Sequence, residues 1–521
     1  MKTQRNVWWH CLVIAVSMLV LWPLSKRGFY VSDDGEWMVI RLSAFYQSLA
    51  EGQFPVRFLG RLNYSYGYPV ANFLYPGFLY IGSILRLLGF SFVGAVKIIL
   101  ASSVIGAALF LFASLRRSFS RASSFVGTFS FLTAPYLAFD IYTRGSVGEI
   151  LAFAAAAMTM WTIEGGFLLI FPLSIAFLIV SHNSLALLFV MFFTLYLTLS
   201  RRWVWFGYLV LGAGLSAFFW IPALLERDLV KFSLLTISQP RQYFLTLNNL
   251  TLVGLPFIVG LIVYLLSRRR KYFSSRGIYT GGFFIGLFLA SPWSEVLWNM
   301  DIFLTLFQFP FRMLALVLLS GPWLVASSVE YLKSSRNKLV GVYVILGVVS
   351  LVPILGSVAY VDRPEGYYTT NEATTTVKDE YMPRWVGAMS SERNSNRIEI
   401  FQGRGTIEQR IVNTQRVDVD LTLEENSIIA LNTIYYPGWG VTVDGHPAPL
   451  DWRNDRGLMR VAVPKGSHHF VAEFRETPER FVADSVTLAS IILYSVFVVR
   501  RRLTRKRTIR NQHSLDCFYC A

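Results

Sequence analysis

The chain has 521 residues, of which 54% are apolar and only 15% are charged, and its formal net charge is +16. A composition this apolar excludes an ordinary soluble protein, and apolar runs recur from Val7 to Val499, so we expect a multi-span membrane protein. The Lys and Arg residues occur in short clusters between the apolar runs, which is typical of cytoplasmic loops and argues against a nucleic-acid partner.

The first element is an apolar run over 6–24, which is about long enough to cross a bilayer. Two basic residues follow it in place of a small-residue cleavage site, so we interpret it as a retained anchor rather than a signal peptide. Three carboxylates, Asp33, Asp34 and Glu36, come soon afterwards. Acidic groups beside lipid are costly to desolvate, so their presence here calls for a functional reason.

Eleven further apolar runs predict membrane-spanning helices, which gives about 12 transmembrane helices in all. They lie at 93–115, 123–139, 148–163, 166–181, 184–200, 203–225, 248–267, 277–292, 311–331, 338–360 and 481–499. The predicted fold class is a polytopic α-helical membrane protein with a small extracytoplasmic antiparallel β domain.

One more apolar run, 72–90, decides which loops face outward. Its Pro and Gly residues make it a poor spanning helix, and treating it as an interfacial segment keeps every basic cluster on the cytoplasmic side. These clusters are Arg116, Arg117 and Arg121; Arg201 and Arg202; Arg268 to Lys271; Lys333, Arg336 and Lys338; and the tail RRRLTRKR. We therefore expect 25–92 to be one long outer loop, both termini to be cytoplasmic, and the protein to lie in the plasma or inner membrane.

The same topology places polar residues from distant parts of the chain on the outer face. Asp140, Arg144 and Glu149 lie between two predicted spans, and His182 and Asn183 lie in a tight turn between two others. Further outer groups are the loops 226–244 and 291–303, and Arg312. A site at the membrane surface requires such a gathering of polar groups.

Segment 361–480 has apolar residues at alternate positions, separated by PG, DG and KG turn signals, which predicts antiparallel strands. The predicted domains are a transmembrane module at 1–360, an extracytoplasmic β-sandwich-like domain at 361–480, and a final transmembrane helix with a basic cytoplasmic tail at 481–521. The three cysteines are too few for a disulfide framework, and the terminal C-x-x-C lacks a second pair of metal ligands.

Sugar transfer from a lipid phosphate is one reaction that these outer residues could support. A carboxylate such as Asp33 or Asp34 would deprotonate the acceptor hydroxyl, and cations would hold the phosphate leaving group. The candidate cations are Arg144, Arg241 and Arg312, and the candidate aromatic surface for the sugar is Tyr64, Tyr66, Tyr68 and Tyr75. No P-loop, dinucleotide fingerprint, H-E-x-x-H or nucleophile elbow lies at a suitable place.

The first span, the acidic outer loop and the Tyr-Gly-Tyr-Pro stretch resemble the GT-C superfamily of polyprenyl-phosphate-sugar-dependent glycosyltransferases. More narrowly, DDGEWMVIRL, EGQFPVRF, YSYGYPVANFLYP, LAFDIYTRGSVGEILAF, SHNSLALL and NTIYYPGWGVTVDG resemble bacterial YfhO-like membrane proteins. Some of these are labelled "6-pyruvoyl-tetrahydropterin synthase-related". The six His residues are scattered, so they do not support zinc-dependent pterin chemistry.

The resemblance implies a catalytic acid in the first outer loop, where Asp34 matches best by its distance to Arg41 and Asp33 is next. It also implies a second acidic position in a later outer loop, for which Asp140 and Glu149 are candidates, and in some members a divalent metal. The substrate-binding candidates are Arg144, Glu149, Arg41, Tyr66, Tyr68, His182, Asn183 and Arg312.

Each candidate also has a structural explanation. Asp33 and Asp34 would stabilise the start of a helix over 35–51 through its dipole. Arg144 would snorkel to the interface or pair with its acidic neighbours Asp140 and Glu149. The His-Asn pair would satisfy a tight turn, and the tyrosines would form an interfacial aromatic belt.

Three hypotheses follow for the function. The first is a membrane glycosyltransferase that uses a polyprenyl-phosphate-linked sugar and an extracytoplasmic glycan, lipid or protein acceptor. The second is a flippase or transporter of lipid-linked sugars, against which the sequence shows neither half-chain symmetry nor broken helices. The third is a non-catalytic envelope-assembly protein, in which the acids would be dispensable.

Overall fold

The computed structural model describes residues 2–518 except 235–238, 267–276, 333–335, 377–378 and 389–390, with side chains from Val7 to Arg501. The basic cluster at Arg268 to Lys271, Lys333 and the side chains of the tail beyond Arg501 lie outside the described residues. The described chain is mostly helical, with antiparallel sheets near its carboxyl end.

Helices α1 to α9 form the first part of the chain. They are α1 (Lys2–Val20), α2 (Gly35–Ala50), α3 (Gly77–Leu87), α4 (Phe92–Leu115), α5 (Arg121–Leu132), α6 (Pro135–Phe139), α7 (Val147–Gly165), α8 (Phe171–Ser181) and α9 (Asn183–Leu199). Helices α10 to α19 follow. They are α10 (Val204–Leu215), α11 (Ala217–Leu225), α12 (Leu255–Leu266), α13 (Gly277–Ala290), α14 (Glu295–Trp298), α15 (Asp301–Phe307), α16 (Leu314–Tyr331), α17 (Arg336–Gly356), α18 (Glu365–Thr370) and α19 (Pro478–Phe518).

Five helices of the described chain are long and apolar enough to cross a membrane, or up to seven if each of two bent pairs forms one span. Five shorter apolar helices accompany them, among them α3. Helix α3 has 11 residues, and at 1.5 Å per residue it is about 16 Å long, roughly half of the hydrocarbon core. The total of 12 spans and the side of the membrane that each loop faces stay predictions.

Two of the expected spans are bent, so the expectation of unbroken helices is wrong at these places. Helices α10 and α11 meet at 73° near Ser216, whose hydroxyl donates to the carbonyls of Gly212 and Ala213 at 3.3 and 3.1 Å and competes with the helical bonds. The 3-10 turn Leu247–Val253 meets α12 at 89° across Gly254, whose φ of +91° lies in the region that glycine adopts without strain.

The expected first outer loop is folded against the helices and is largely buried. Strand β1 (Phe29–Tyr30) pairs antiparallel with β2 (Tyr360–Val361), so the start of this loop is joined to the end of α17. The predicted domain boundary at 360/361 therefore falls inside a strand that pairs with the first loop. Independent folding of 361–480 stays a prediction.

The alternating pattern after residue 397 correctly predicts antiparallel strands. One sheet has five strands in the order β4 (Gly405–Val412), β5 (Arg416–Leu423), β10 (Gly466–Phe474), β7 (Trp439–Val443) and β8 (His446–Pro447). The other has the order β3 (Ile398–Gln402), β6 (Ser427–Ile434) and β9 (Leu458–Val463). The three turn signals end in Gly438, Gly445 and Gly466, all with positive φ, as expected for turn glycines.

A buried carboxylate joins the sheets to the helices. Glu226, just after α11, accepts hydrogen bonds from Arg480 Nε at 2.6 Å, Arg480 Nη2 at 2.8 Å, the Tyr436 hydroxyl at 2.6 Å and Asn72 Nδ2 at 3.0 Å. These partners come from α19, the end of β6 and the first loop. A buried charge that loses its partner is strongly destabilising, so this cluster fixes how the sheets sit on the helices.

Candidate functional site

The acidic turn that precedes α2 is held by a second turn of the chain, at 142–145. The amide of Asp33 donates to the Thr143 carbonyl and the amide of Asp34 to the Arg144 carbonyl, both at 2.9 Å. Gly145 has a φ of +68°, and a Cβ atom there would lie 2.5 Å from the backbone nitrogen of Gly35. Only glycine allows the two turns to approach this closely.

The side chains of both acids remain available. Asp33 is exposed and Asp34 is half-buried, and within the described part of the chain neither carboxylate accepts a hydrogen bond or forms an ion pair. Asp34 occupies the position before α2, but the Ser32 hydroxyl is the group that accepts from the Gly35 amide, at 3.2 Å. Partial desolvation and the charge of Asp34 raise the pKa of Asp33, and Arg144 opposes this rise. A capping bond therefore does not account for these acids.

Beneath this turn lies a buried cluster of charged residues, which we call the ion cluster: Asp140, Arg144, Glu149, His182 and Arg312. Arg144 Nη1 donates to Asp140 Oδ1 and to Glu149 Oε1, both at 2.6 Å, and Arg312 Nε donates to Glu149 Oε1 at 2.9 Å. Two acids thus face two arginines inside the protein. The pairing of Arg144 with its acidic neighbours, given above as a structural explanation, is observed.

The two arginines nevertheless keep donors that are not used. Arg144 donates hydrogen bonds through Nη1, and Arg312 donates through Nε and Nη1. Arg312 Nη1 donates to the Phe307 carbonyl at 2.9 Å and to Gln308 Oε1 at 2.8 Å. Among the described residues no group accepts from Nε or Nη2 of Arg144 or from Nη2 of Arg312. A guanidinium carries five N–H donors in a fork that suits a phosphate, so each arginine can bind an anion without leaving its carboxylate.

His182 has a structural function at the start of α9. Its Nδ1 accepts from the Leu185 amide at 3.2 Å, and its Nε2 lies 3.7 Å from Glu149 Oε1. Burial lowers the pKa of His182 to about 3, so the ring is neutral and Nε2 carries its hydrogen. Asn183 is exposed, and its Nδ2 donates to the Phe73 carbonyl at 2.9 Å. His182 thus satisfies the tight turn, as the structural explanation expected, whereas the Asn183 side chain bonds to the first loop instead.

Tyr75 connects the ion cluster to the acidic turn. Its ring lies 4.8 Å from the ring of His182, and a Cβ atom at Gly148 would lie 2.1 Å from the Tyr75 ring. Burial raises the pKa of Tyr75, and the charges of Arg41 and Asp34 act on the same hydroxyl. The tyrosine therefore lies between the two groups of charges.

Two other predicted residues lie apart from each other: the charge of Arg41 acts on the Tyr68 hydroxyl, whereas Tyr66 belongs to another part of the surface. The Tyr68 hydroxyl shares a hydrogen bond of 2.7 Å with Thr376 Oγ1 and accepts another from the Tyr381 amide at 3.0 Å. Tyr66 is buried and lines a separate cleft at the carboxyl-terminal end of α2. The tyrosines thus do not form one sugar platform beside Asp34.

Arg41 brings in a residue that the sequence did not identify. Arg41 Nε donates to Thr375 Oγ1 at 3.0 Å, and its Nη2 donates to the Thr375 carbonyl. The half-buried Glu380 lies near Arg41. Burial raises the pKa of the Glu380 carboxyl to about 7; the charge of Arg41 opposes this rise, and the charge of Asp34 contributes to it. Glu380 lies in the polar stretch KDEYMPRW, which has no motif to distinguish it from an ordinary loop.

Two buried carboxylate oxygens of the ion cluster, Asp140 Oδ2 and Glu149 Oε2, have no hydrogen-bond partner in the described chain. Buried oxygens of this kind are usually satisfied by water, an ion or a ligand. No group of three or more His, Cys, Asp or Glu residues in the described ranges has an arrangement that could hold a metal ion. The divalent metal that the resemblance implies therefore gains no ligand set here.

No family model matches the chain, and no curated protein matches it. Among solved structures it is similar to the arabinofuranosyltransferase AftD from Mycobacteria, with 15% identity, a TM-score of 0.46, and coverage of 67% of this chain and 26% of that chain. It is also similar to the oligosaccharyltransferase AglB from Archaeoglobus fulgidus, solved with an inhibitory peptide and a dolichol-phosphate (12% identity, TM-score 0.41, 67% and 55% coverage). A third match is apo ArnT from Cupriavidus metallidurans (14% identity, TM-score 0.41, 70% and 68% coverage).

The chain spans about a quarter of the length of AftD. The matched proteins named by activity are glycosyltransferases of low identity, and at these TM-scores the likeness assigns neither a substrate nor a catalytic residue. The narrower resemblance to YfhO-like proteins is not confirmed by any of these matches.

Proposed function

We propose that this chain is a membrane glycosyltransferase that transfers a sugar from a polyprenyl-phosphate donor to a hydroxyl group of an extracytoplasmic acceptor, with Asp34 as the general base. The observation that carries the proposal is the state of the Asp34 carboxylate. It is half-buried, has no partner among the described residues, and is held by backbone hydrogen bonds against the turn that carries Arg144.

The base step follows from that position. Asp34 would accept the proton of the acceptor hydroxyl as its oxygen bonds to the anomeric carbon of the sugar, a role that contributes 10²–10⁴-fold in typical enzymes. The bond between the anomeric carbon and the phosphate oxygen breaks, and the electron pair leaves with the polyprenyl phosphate. Asp33 is the second candidate for the base, and Glu380 is a third carboxyl in the same neighbourhood.

The leaving group requires positive charge where the phosphate departs. The unused donors of Arg144 and Arg312 supply it, while their shared carboxylate Glu149 keeps both guanidinium groups in place. Before the donor binds, Asp140 and Glu149 pair with the two arginines and offset part of their charge. A bound phosphate would therefore meet directed N–H groups rather than a large net positive charge.

The polyprenyl chain requires apolar surface beside the site. Helix α3 begins two residues after Tyr75. Ile84 and Leu87 in this helix and Leu88 directly after it have exposed fractions of 58%, 70% and 70%. Exposed apolar side chains on a short helix are typical of a segment that lies in the membrane interface. They support a donor that enters from the lipid.

A transporter of lipid-linked sugars is the second candidate, and the two bent helix pairs favour it, since broken helices are typical of transport sites. Proteoliposomes that contain the protein and a labelled polyprenyl-phosphate sugar distinguish the two. We expect the label to move to a soluble hydroxyl acceptor and polyprenyl phosphate to accumulate. Movement of intact donor between leaflets without any transfer would favour the transporter and contradict the proposal.

A further inference from the structure

An open cleft of about 590 Å³ lies on the other end of α2 from Asp34. We call it the polar cleft. Its walls come from the end of α2 and the first loop (Gln47 to Tyr66), from the segments 369–372 and 393–397, and from β4, the turn after it and β6. A volume of this size is typical of a site for a small molecule or for part of a longer one.

The lining of the polar cleft differs from that of an ordinary ligand pocket, which is mostly apolar. Val412 is the single aliphatic residue among the lining residues of the described chain. Six side chains are carboxamides: Gln47, Asn394, Asn396, Gln409, Asn413 and Asn432. Carboxamides both donate and accept hydrogen bonds, as the hydroxyl groups of a sugar do.

The cleft is already formed, because its walls bond to each other. Glu51 Oε2 accepts from the Thr414 amide at 2.7 Å, and the Ser65 hydroxyl donates to Glu372 Oε1 at 2.9 Å. Asn432 Nδ2 donates to the Asn396 carbonyl at 2.8 Å. The first loop and the strands are thus fixed relative to each other before any ligand binds.

Several polar groups of the lining remain free for a ligand. In the described part of the chain, no protein group bonds to the carboxamides of Asn396 and Gln409 or to the hydroxyls of Tyr64 and Tyr66. Tyrosine rings also offer flat apolar faces of the kind that pack against the C–H face of a sugar ring. Free amides beside tyrosines are therefore suited to a polyhydroxylated ligand.

The charges of the lining argue against a strongly anionic ligand. Three arginines (Arg61, Arg393 and Arg397) face two glutamates, and Arg393 Nη1 lies 3.2 Å from Glu372 Oε1 in an ion pair. A nucleic-acid groove neutralises several phosphates and requires a much larger excess of positive charge. A ligand with little or no net charge fits this balance.

We propose that the polar cleft binds a hydroxyl-rich oligosaccharide, which is the acceptor of the transfer reaction. Its role as the acceptor rests on the proposed function. Gln47 lies 13 residues after Asp34 along α2, which at 1.5 Å per residue is about 20 Å. A single sugar bound in the cleft does not reach the base. The ligand that occupies both places is a chain of several sugar units.

The test measures binding apart from transfer. Fluorescently labelled neutral oligosaccharides of one to six hexose units are titrated into the purified full chain, and anisotropy gives the dissociation constants. We expect the longer chains to bind, and we expect the double variant Asn396→Ala/Gln409→Ala to bind about 30-fold more weakly, as the loss of two hydrogen bonds would give. Tyr66→Phe, which keeps the ring and removes the hydroxyl, provides a second and milder variant.

Gln402→Ala, which removes an exposed carboxamide of β3 outside the cleft, is the matched control and should bind the oligosaccharides as the wild type does. Absence of binding by every chain length, equal binding by the double variant, or preferred binding of a labelled peptide of similar size would overturn the cleft assignment. Transfer to a short acceptor without oligosaccharide binding would refute the cleft alone. Oligosaccharide binding without any transfer would refute the proposed function and leave the cleft as a glycan site.

Discussion

Asp34→Asn separates the catalytic explanation of the acidic turn from the helix-dipole explanation. The substitution keeps the size of the side chain and breaks no hydrogen bond of the described chain, because the carboxylate accepts none. The lost charge at the start of α2 would change stability by about 0.3–1 kcal/mol. The lost base would lower the rate of transfer by roughly 10²–10⁴-fold. We therefore expect a large loss of transfer with a nearly unchanged Tm.

Glu36→Gln is the matched control, because it removes one negative charge from the same helical turn. Glu36 Oε1 accepts from Arg363 Nε at 2.9 Å and from the Tyr368 hydroxyl at 3.0 Å, so this residue has partners that Asp34 lacks. Weakening the bond to Tyr368 should lower the free energy of unfolding by about 0.5–1.5 kcal/mol. We expect this variant to lose stability and keep transfer, the reverse of Asp34→Asn.

The assay follows transfer of a radiolabelled sugar by purified wild type, Asp34→Asn, Asp33→Asn and Glu36→Gln, with Tm measured on the same preparations. Near-normal transfer by both aspartate variants would show that these acids are only helix-start charges and would refute the reasoning. Equal losses in Asp34→Asn and Glu36→Gln would assign the effect to the dipole.

Three further predictions concern other parts of the chain. Arg144→Ala should lower Tm sharply, by an amount equivalent to about 3–5 kcal/mol, because it leaves Asp140 and Glu149 buried with one cation fewer; a small change in Tm would contradict the pairing. The pKa of Glu380 is raised from about 4.5 to about 7, so the unfolded chain loses this proton at lower pH than the folded chain does. The free energy of unfolding should therefore fall by at most about 3 kcal/mol as the pH rises between these values. Tm measured across this range should depend less on pH in Glu380→Gln than in the wild type. Glu425 is exposed, so the variant Glu425→Cys, made in a protein without its native cysteines, should react with a membrane-impermeant thiol reagent in intact cells. Labelling only after lysis would refute the predicted topology.

The strands and most helices could be predicted from the sequence because their signals are local. Alternation of apolar residues predicts β5, β6 and β10, and turn glycines such as Gly445 separate the strands. The bend at Ser216 could not be predicted, because it depends on hydrogen bonds from the Ser216 hydroxyl to carbonyls of the preceding helical turn. The partner to which a serine hydroxyl bonds is determined by packing rather than by apolar periodicity.

The candidate site could be predicted only where its residues lie close together in the sequence. Arg144 and Glu149 lie close in sequence, so their charges indicate a cluster, but the contact of Arg312 with Glu149 joins residues 163 positions apart. Glu380 and Thr375, the partner of Arg41, lie more than 300 residues after α2, and no local pattern indicates either contact. Long-range pairs of this kind are determined by the fold.

Transfer of a sugar from a polyprenyl-phosphate donor is the activity that we propose for this chain. The most direct measurement incubates the purified full chain with a panel of polyprenyl-phosphate sugars and a mixture of hydroxyl acceptors, and detects polyprenyl phosphate by mass spectrometry. We predict that at least one donor releases polyprenyl phosphate with a glycosylated acceptor in equal amount, and that Asp34→Asn does so at least about 100-fold more slowly. Intact donor throughout the panel, or release at the same rate in Asp34→Asn, would contradict the claim.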